Sequence, residues 1–140
     1  MSAQVKRLRI SAQLEHVEGA CEFVADIARD IGMSDEAVYH CYLAVEEICT
    51  NIIEHGYGYR GKDKVIDIEC SAKPYGLEIT VTDDAEQFNP LKRNQPDPTA
   101  PLVERKTGGW GIFFVRKYMD RIDYRYVHNR NQLIMEKYYN

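Results

Sequence analysis

Along the chain the spacing of apolar residues changes period several times, and each change marks an element. The opening VKRLRIS alternates apolar and charged residues, as a half-buried strand does. From Leu14 to about Ile31 the apolar positions Leu14, Val17, Cys21, Val24 and Ala28 recur at helical spacing, with Gly32 as the stop. Ser34 has the character of an N-cap, followed by Asp35 and Glu36 in the first turn, where the helix dipole favours acids. The helix it starts carries Val38, Cys41, Val45, Ile48 and Ile52 along one side and is predicted to end near His55, terminated by Gly56.

Two alternating stretches follow, through Ile66, Ile68 and Cys70 and then through Leu77, Ile79 and Val81, joined by the hairpin link KPYG. Between Asn89 and Thr107 the pattern collapses, because Pro90, Pro96, Pro98 and Pro101 exclude regular helix or central strand. A third helix follows the next glycine cluster and packs through Ile112, Val115 and Met119. IDYRYVH and QLIMEKY close the chain as an antiparallel pair. The order predicts an α+β fold: a two-layer sandwich of one mixed, mainly antiparallel sheet with three helices on one face.

At 140 residues there is room for one domain, residues 1–140, with the irregular stretch 89–107 as an internal lid. The net charge of -4 and the scattered basic residues argue against direct nucleic-acid binding, which needs a cationic surface. No apolar run has the length of a membrane span and no signal peptide opens the chain, so a cytoplasmic location without membrane attachment is expected. Cys21, Cys41, Cys49 and Cys70 form no CxxC pair and sit among apolar residues, as buried free thiols do.

Three stretches carry candidate chemistry. In LAVEEICTNIIEHGY the residues Glu47, Asn51 and His55 lie four apart and form one stripe on the second helix. Such a stripe is equally the ordinary solvent face of a helix. Asn51, however, is a poor helix former in mid-helix, and its amide oxygen can ligate a hard cation without adding charge. A carboxylate one turn earlier can orient or deprotonate a hydroxyl. In VTDDAEQFNP, Asp83 falls where the strand ends. There it can accept a hydrogen bond from an exocyclic amine, or it can simply make an Asx turn with Asp84. In TGGWGIFFVRKYMD, glycines 108, 109 and 111 precede a helix whose exposed N–H groups make an anion site.

Together, the E-x-x-x-N-x-x-x-H-G helix, the strand-end aspartate, the long lid and the GGxG helix start resemble the Bergerat, or GHKL, ATPases such as gyrases and sensor histidine kinases. The resemblance spans nearly the whole chain. EEICTNIIEHGY and GGWGIFFVRKYMD look specifically like the bacterial anti-sigma-factor serine/threonine kinases.

The resemblance implies a Bergerat ATP-binding fold using ATP and Mg²⁺. Glu47 then matches the catalytic base, Asn51 the magnesium ligand, and His55 a residue beside the phosphates. Asp83 matches the acid that recognises adenine, and Gly108, Gly109 and Gly111 match the phosphate turn. Arg105 stands where lid cations meet the terminal phosphate, and Asn131 where many members place a threonine by the adenine.

After Asp83 the family pattern D-x-G-x-G is replaced by Ala85, small enough to be tolerated, and Gln87, which is expected to narrow or stiffen the lid hinge. The first helix carries no Lys or Arg between Leu14 and Ala28, where relatives use a basic residue to grip a partner. The implied function is a partner-switching kinase that phosphorylates an antagonist protein on Ser or Thr, with a sigma factor as a second client and homodimerisation as a further expectation. The alternative is an ATP-dependent anti-sigma binding module without phosphotransfer.

Overall fold

The computed structural model describes residues 5–92 and 111–139. Strand β1 (Val5–Ser11) leads through a 3-10 turn (Leu14–His16) into helix α1 (Val17–Asp30) and then helix α2 (Asp35–Asn51). A π-turn (Ile52–Gly56) prolongs α2 before the hairpin of β2 (Val65–Lys73) and β3 (Gly76–Asp83). After a second 3-10 turn (Pro90–Lys92) come helix α3 (Gly111–Tyr118) and the hairpin of β4 (Arg121–Val127) and β5 (Arg130–Tyr138).

Local chemistry sets these boundaries. The Ser34 hydroxyl accepts the Ala37 N–H at 3.1 Å, satisfying one of the orphan donors that open α2. The helical run ends near His55 as expected, but Gly56 is the last residue of a π-turn, closed by the Tyr57 N–H on the Ile52 carbonyl at 2.8 Å, and is not a left-handed stop. The residues that turn the chain away with positive φ are Gly58 (57°) and Tyr59 (63°). In the β4–β5 hairpin the two loop residues, His128 and Asn129, have φ of 53° and 60°. That pair of left-handed residues gives the primed twist that two-residue hairpins favour.

The strand order is β1-β2-β3-β5-β4, with every pairing antiparallel. A mixed sheet was expected, and among the described residues no parallel pair occurs. The reason is topological. Two helices between β1 and β2 return the chain to the end it left, so those neighbours run opposite ways. β3 and β4 do share a direction, but β5 inserts between them.

Helix α2 packs against α1 on one side and α3 on the other, and the layer covers one sheet face. Ile66, Ile68, Leu77, Ile79, Val81 and Met135 are nearly inaccessible beneath Ala20, Val24, Val45, Ile48 and Val115. The four cysteines belong to this core as free thiols, and burial pushes those of Cys21, Cys41 and Cys70 up to about 12, leaving them protonated and inert. The opposite sheet face carries the cross-strand row Arg9, Asp67, Thr82, Gln132 and Arg125. No helix among the described residues is long and apolar enough to cross a membrane.

Gly76, at the β2–β3 turn, tests how tightly the sheet is built. Its φ is 152°, and a Cβ there would stand 2.0 Å from the Lys137 carbonyl oxygen. Gly76→Ala is therefore expected to cost about 2 kcal/mol or more. Urea denaturation measures this, and a loss under about 0.5 kcal/mol, the range of neutral surface changes, contradicts the packing described.

Candidate active site

The C-terminal end of α2 meets the ends of β3 and β5 around one cavity. Asn51, Ile52, His55 and Gly56 contribute one wall, Val81, Leu133 and Tyr124 the floor, and Asp83, Ala85, Glu86, Phe88 and Asn131 the far rim. The lining is mostly apolar with a few convergent polar groups, the usual character of a small-molecule site. Four residues singled out in the sequence, Asn51, His55, Asp83 and Asn131, meet here although they come from three separate elements.

Asp83 is the most constrained of them. It is only 6% exposed, and burial raises its carboxyl from the ordinary value. Two donors work against that shift: the Ala85 N–H reaches Oδ1 at 2.8 Å and the Asn131 amide reaches the same oxygen at 3.0 Å. The bond to Ala85 is an Asx turn, so the plain structural reading of Asp83 is realised through one oxygen. The other oxygen, Oδ2, has no hydrogen-bond partner among the described residues. An oxygen of a mostly buried carboxylate that keeps no donor and lines an apolar cavity is the natural acceptor for a ligand N–H.

Asn131 lies directly opposite Asp83 in the β3–β5 register. Its Nδ2 donates to Asp83, to the Ala85 carbonyl at 3.0 Å and to the Glu86 carbonyl at 3.2 Å. Its Oδ1 accepts the Phe88 N–H at 3.0 Å and the Tyr124 hydroxyl at 2.5 Å. Both ends of the amide are thereby engaged within the protein.

The two departures after Asp83 have separate explanations. Neither Ala85 nor Gln87 has positive φ, so the backbone here does not require glycine. Ala85 sits against Gly56, where a Cβ on the glycine would approach the Ala85 methyl to 3.2 Å. Space missing on one side is thus supplied by the absent side chain on the other. Gln87 is exposed and is not among the residues that line the cavity.

The helix stripe divides. Asn51 faces the cavity and its amide has no hydrogen-bond partner among the described residues. His55 stands at the rim within the π-turn, 3.8 Å from the Glu54 carboxylate, with its side chain 39% exposed. Glu47, one turn back, lies outside the cavity lining and points into the seam between α2 and α3. Burial, then its neighbour Glu46, pushes its carboxyl up from 4.5 to about 8, opposed by the Val115 N–H. Its Oε2 is buried with no partner among the described residues. Among the described residues no cluster of three His, Cys, Asp or Glu side chains is poised to chelate a metal.

Gly111 is the first residue of α3. Arg105, Gly108, Gly109 and most of the lid, from residue 93 on, lie outside the described residues.

Two contributors escaped the sequence reading. Tyr57 accepts the Asp84 N–H at 2.7 Å and donates to the Val65 carbonyl at 3.0 Å, tying the cavity rim to β2. Tyr124 has its hydroxyl on Asn131. The inward alternation of Ile122 and Tyr124 in IDYRYVH held a signal for Tyr124, but nothing local marked Tyr57.

Residues 10–137 match the family described as Histidine kinase-like ATPase domain. The chain is similar to proteins named Serine-protein kinase RsbW. It is 26% identical to that of Halalkalibacterium halodurans over 120 residues, which is 83% of this chain and 72% of the relative. It is 29% identical to that of Bacillus pumilus over 122 residues, covering 83% and 75%, and 29% identical to that of Bacillus thuringiensis strain Al Hakam over 138 residues, covering 94% and 82%. A crystal structure of the RsbU and RsbW domains of Rv1364c from Mycobacterium tuberculosis shares the fold, with a TM-score of 0.61 at 13% identity over 95% of this chain. The present chain spans about a third of that longer one, 32%.

The raised carboxyl of Glu47 makes stability depend on pH. Its folded form keeps a proton that the unfolded chain releases, so stability falls as pH rises from 4.5 to about 8 and levels off beyond. Glu47→Gln removes this dependence. Because Glu47 is only partly buried, the variant is expected to gain on the order of 1 kcal/mol over the wild type at pH 8 and almost nothing near pH 4.5. Urea titrations at a series of pH values check this; a stability difference that stays flat with pH contradicts the buried, protonated Glu47.

Proposed function

Because this chain belongs to the histidine kinase-like ATPase family, we propose that it binds ATP in the cavity at the end of α2 and transfers the γ-phosphoryl group to a serine of a partner protein. The relatives named as serine-protein kinases support the activity. The single observation that carries the site is the free Oδ2 of Asp83 on the wall of an apolar cavity. An adenine amino group satisfies it, while Ile52, Val81 and Leu133 take the flat faces of the base.

The donor set also fits a magnesium–phosphate group. A divalent cation that keeps its waters and takes phosphate oxygens needs only one or two protein ligands, and Asn51 offers an uncommitted amide oxygen at the cavity wall. Bound there, the cation would supply charge neutralisation for the phosphates. His55 lines the same cavity, and in this reading the N–H groups at the start of α3, which opens at Gly111, meet the phosphates. Gly108, Gly109 and Arg105 complete the phosphate contacts in this reading.

In the transfer step the seryl oxygen bonds to the γ-phosphorus as the bond to the bridging oxygen of ADP breaks. Glu47 takes the hydroxyl proton. Its carboxyl stands ready to do so only when ionised, so the group is held at rest in its neutral form near pH 7. Catalysis is otherwise positioning and charge stabilisation. The acceptor is a small antagonist protein of a partner-switching pair, and a sigma factor is the competing client. Homodimerisation and a cytoplasmic setting belong to the same proposal.

A second reading, an ATP-dependent binding module, draws on one observation: the segment after Asp83 is pinned by Asn131 instead of hinged on glycine. Incubation with labelled ATP and the antagonist separates the two readings.

Calorimetry with ATP and Mg²⁺ is expected to give binding that weakens roughly tenfold to a hundredfold in Asp83→Asn, since a carboxylate acceptor is replaced in part by a donor. Glu47→Gln should bind ATP within a few-fold of the wild type and lose transfer by about 10²–10⁴-fold. The wild-type kcat/KM should rise with pH towards about 8 as Glu47 ionises. Intact transfer in Glu47→Gln excludes Glu47 as the base, and absence of ATP binding by the wild type removes the nucleotide reading altogether.

A further inference from the structure

Resting on the nucleotide reading, we propose that Asn131 is a positioning residue: its single amide sets the path of residues 83–88 and turns Asp83 so that Oδ2 is presented to the base, with Tyr124 holding the amide in place. Asn131 itself does not bind the nucleotide, because its hydrogen-bonding groups are already used.

The geometry is specific. Five polar partners converge on this one side chain, two donating to Oδ1 and three acceptors sharing the two Nδ2 protons. Two carbonyls, Ala85 and Glu86, and one N–H, Phe88, come from a segment that has left the sheet after β3. Only a group offering donors on one side and an acceptor on the other can serve all three. A threonine hydroxyl has one proton to give, and a carboxylate would set acceptors against acceptors. Glutamine is one methylene too long for a residue facing Asp83 directly in the register.

The neighbouring position is secured independently. The Asp84 N–H donates to Tyr57, and the Asp84 carboxylate takes Arg130 at 2.6 Å. Arg130 is the residue before Asn131 and also contacts Asp67 at 2.9 Å, which in turn pairs with Arg9. One face of β5 thus holds the segment by charge and the other by the amide. The pocket rim is built before any ligand arrives, which lowers the ordering cost of binding.

Three variants test the proposal. In the nucleotide-free protein, N131A should speed hydrogen exchange of the Ala85 and Phe88 amides by about tenfold or more while amides in β1 and β2 keep their protection. The same variant should weaken ATP by roughly tenfold. Y124F should shift both readings in the same direction by only a few-fold. N131D supplies a signature that mere loss of packing does not give. Its new carboxyl would stand against Asp83, so ATP affinity relative to wild type should recover as pH is lowered and one proton comes to be shared. The other groups facing Asp83, namely Asp84, Arg130, Tyr57, Tyr124 and Cys49, are the same in both proteins.

Unchanged exchange at Ala85 and Phe88 in N131A overturns the inference whatever the nucleotide does. Faster exchange with wild-type ATP affinity overturns its link to the base pocket. If N131A fails to fold, Y124F and N131D decide, and a pH-independent N131D deficit counts against the proposal. A wild type that shows the expected exchange pattern but binds no ATP removes the function and leaves the clamp.

Discussion

A carboxylate at the end of a central strand, with hardly any exposure to water, must be hydrogen-bonded or be neutral. Asp83 is in that position, and the surrounding structure is arranged around it. The Ala85 N–H and the Asn131 amide both satisfy Oδ1, and the second of these requires β5 to lie beside β3 in one register. That neighbour relation exists because the β4–β5 hairpin inserts its second strand between β3 and β4. The left-handed pair His128 and Asn129 fixes the register of β4 on β5, with Asn131 opposite Tyr126, and the β3–β5 register places Asn131 opposite Asp83. A slip of one residue would put Asn131 on the outer face.

Helix α2 supplies the other side of the site through a change of winding. Its α-helical part ends at Asn51, and the π-turn that follows carries His55 and Gly56 to the cavity wall. A wider turn displaces His55 from the regular 3.6-residue stripe that Glu47 and Asn51 follow. Gly56 then approaches Ala85 closely, so the helix end and the segment after Asp83 fit only as a pair. The rim is also joined to β2 by Tyr57 through the Asp84 N–H.

Much of this was readable in the sequence, for a physical reason. Alternation in β2, β3 and β5 and the helical period of α1 and α2 come from burial, which acts on one residue at a time. The N-cap at Ser34 is likewise local chemistry, and it stands where expected. Asn51, His55, Asp83 and Asn131 were identified by type and order, and they line one cavity. What sequence alone could not supply was how hydrogen bonds are shared among groups far apart in the chain. Asn131 is 46 residues from Ala85, and nothing in either segment shows that the amide is saturated. The π-turn was invisible for a similar reason: IIEHG fits an α-helix equally well, and tertiary packing decides the winding. The sheet is not mixed because β5 inserts between β3 and β4, the two strands that the intervening helix leaves running the same way.

In the proposed reading, Asp83 and Glu47 differ in the one respect that separates recognition from reaction. Burial raises both, but among the described residues Asp83 has two donors on Oδ1, whereas Glu47 has the Val115 N–H and an unpartnered Oε2. The first is served by the protein at rest and keeps one oxygen for a ligand. The second is left under-solvated, so its neutral form persists to about 8. A group needed to accept a proton at neutral pH is useful only if something arriving at the site favours its charge. Cationic charge brought near the end of α2 would do so. On the proposed reading, the fold separates a carboxylate prepared for binding from one whose ionisation waits on the ligand, which is the division of labour that environment imposes on pairs of like groups.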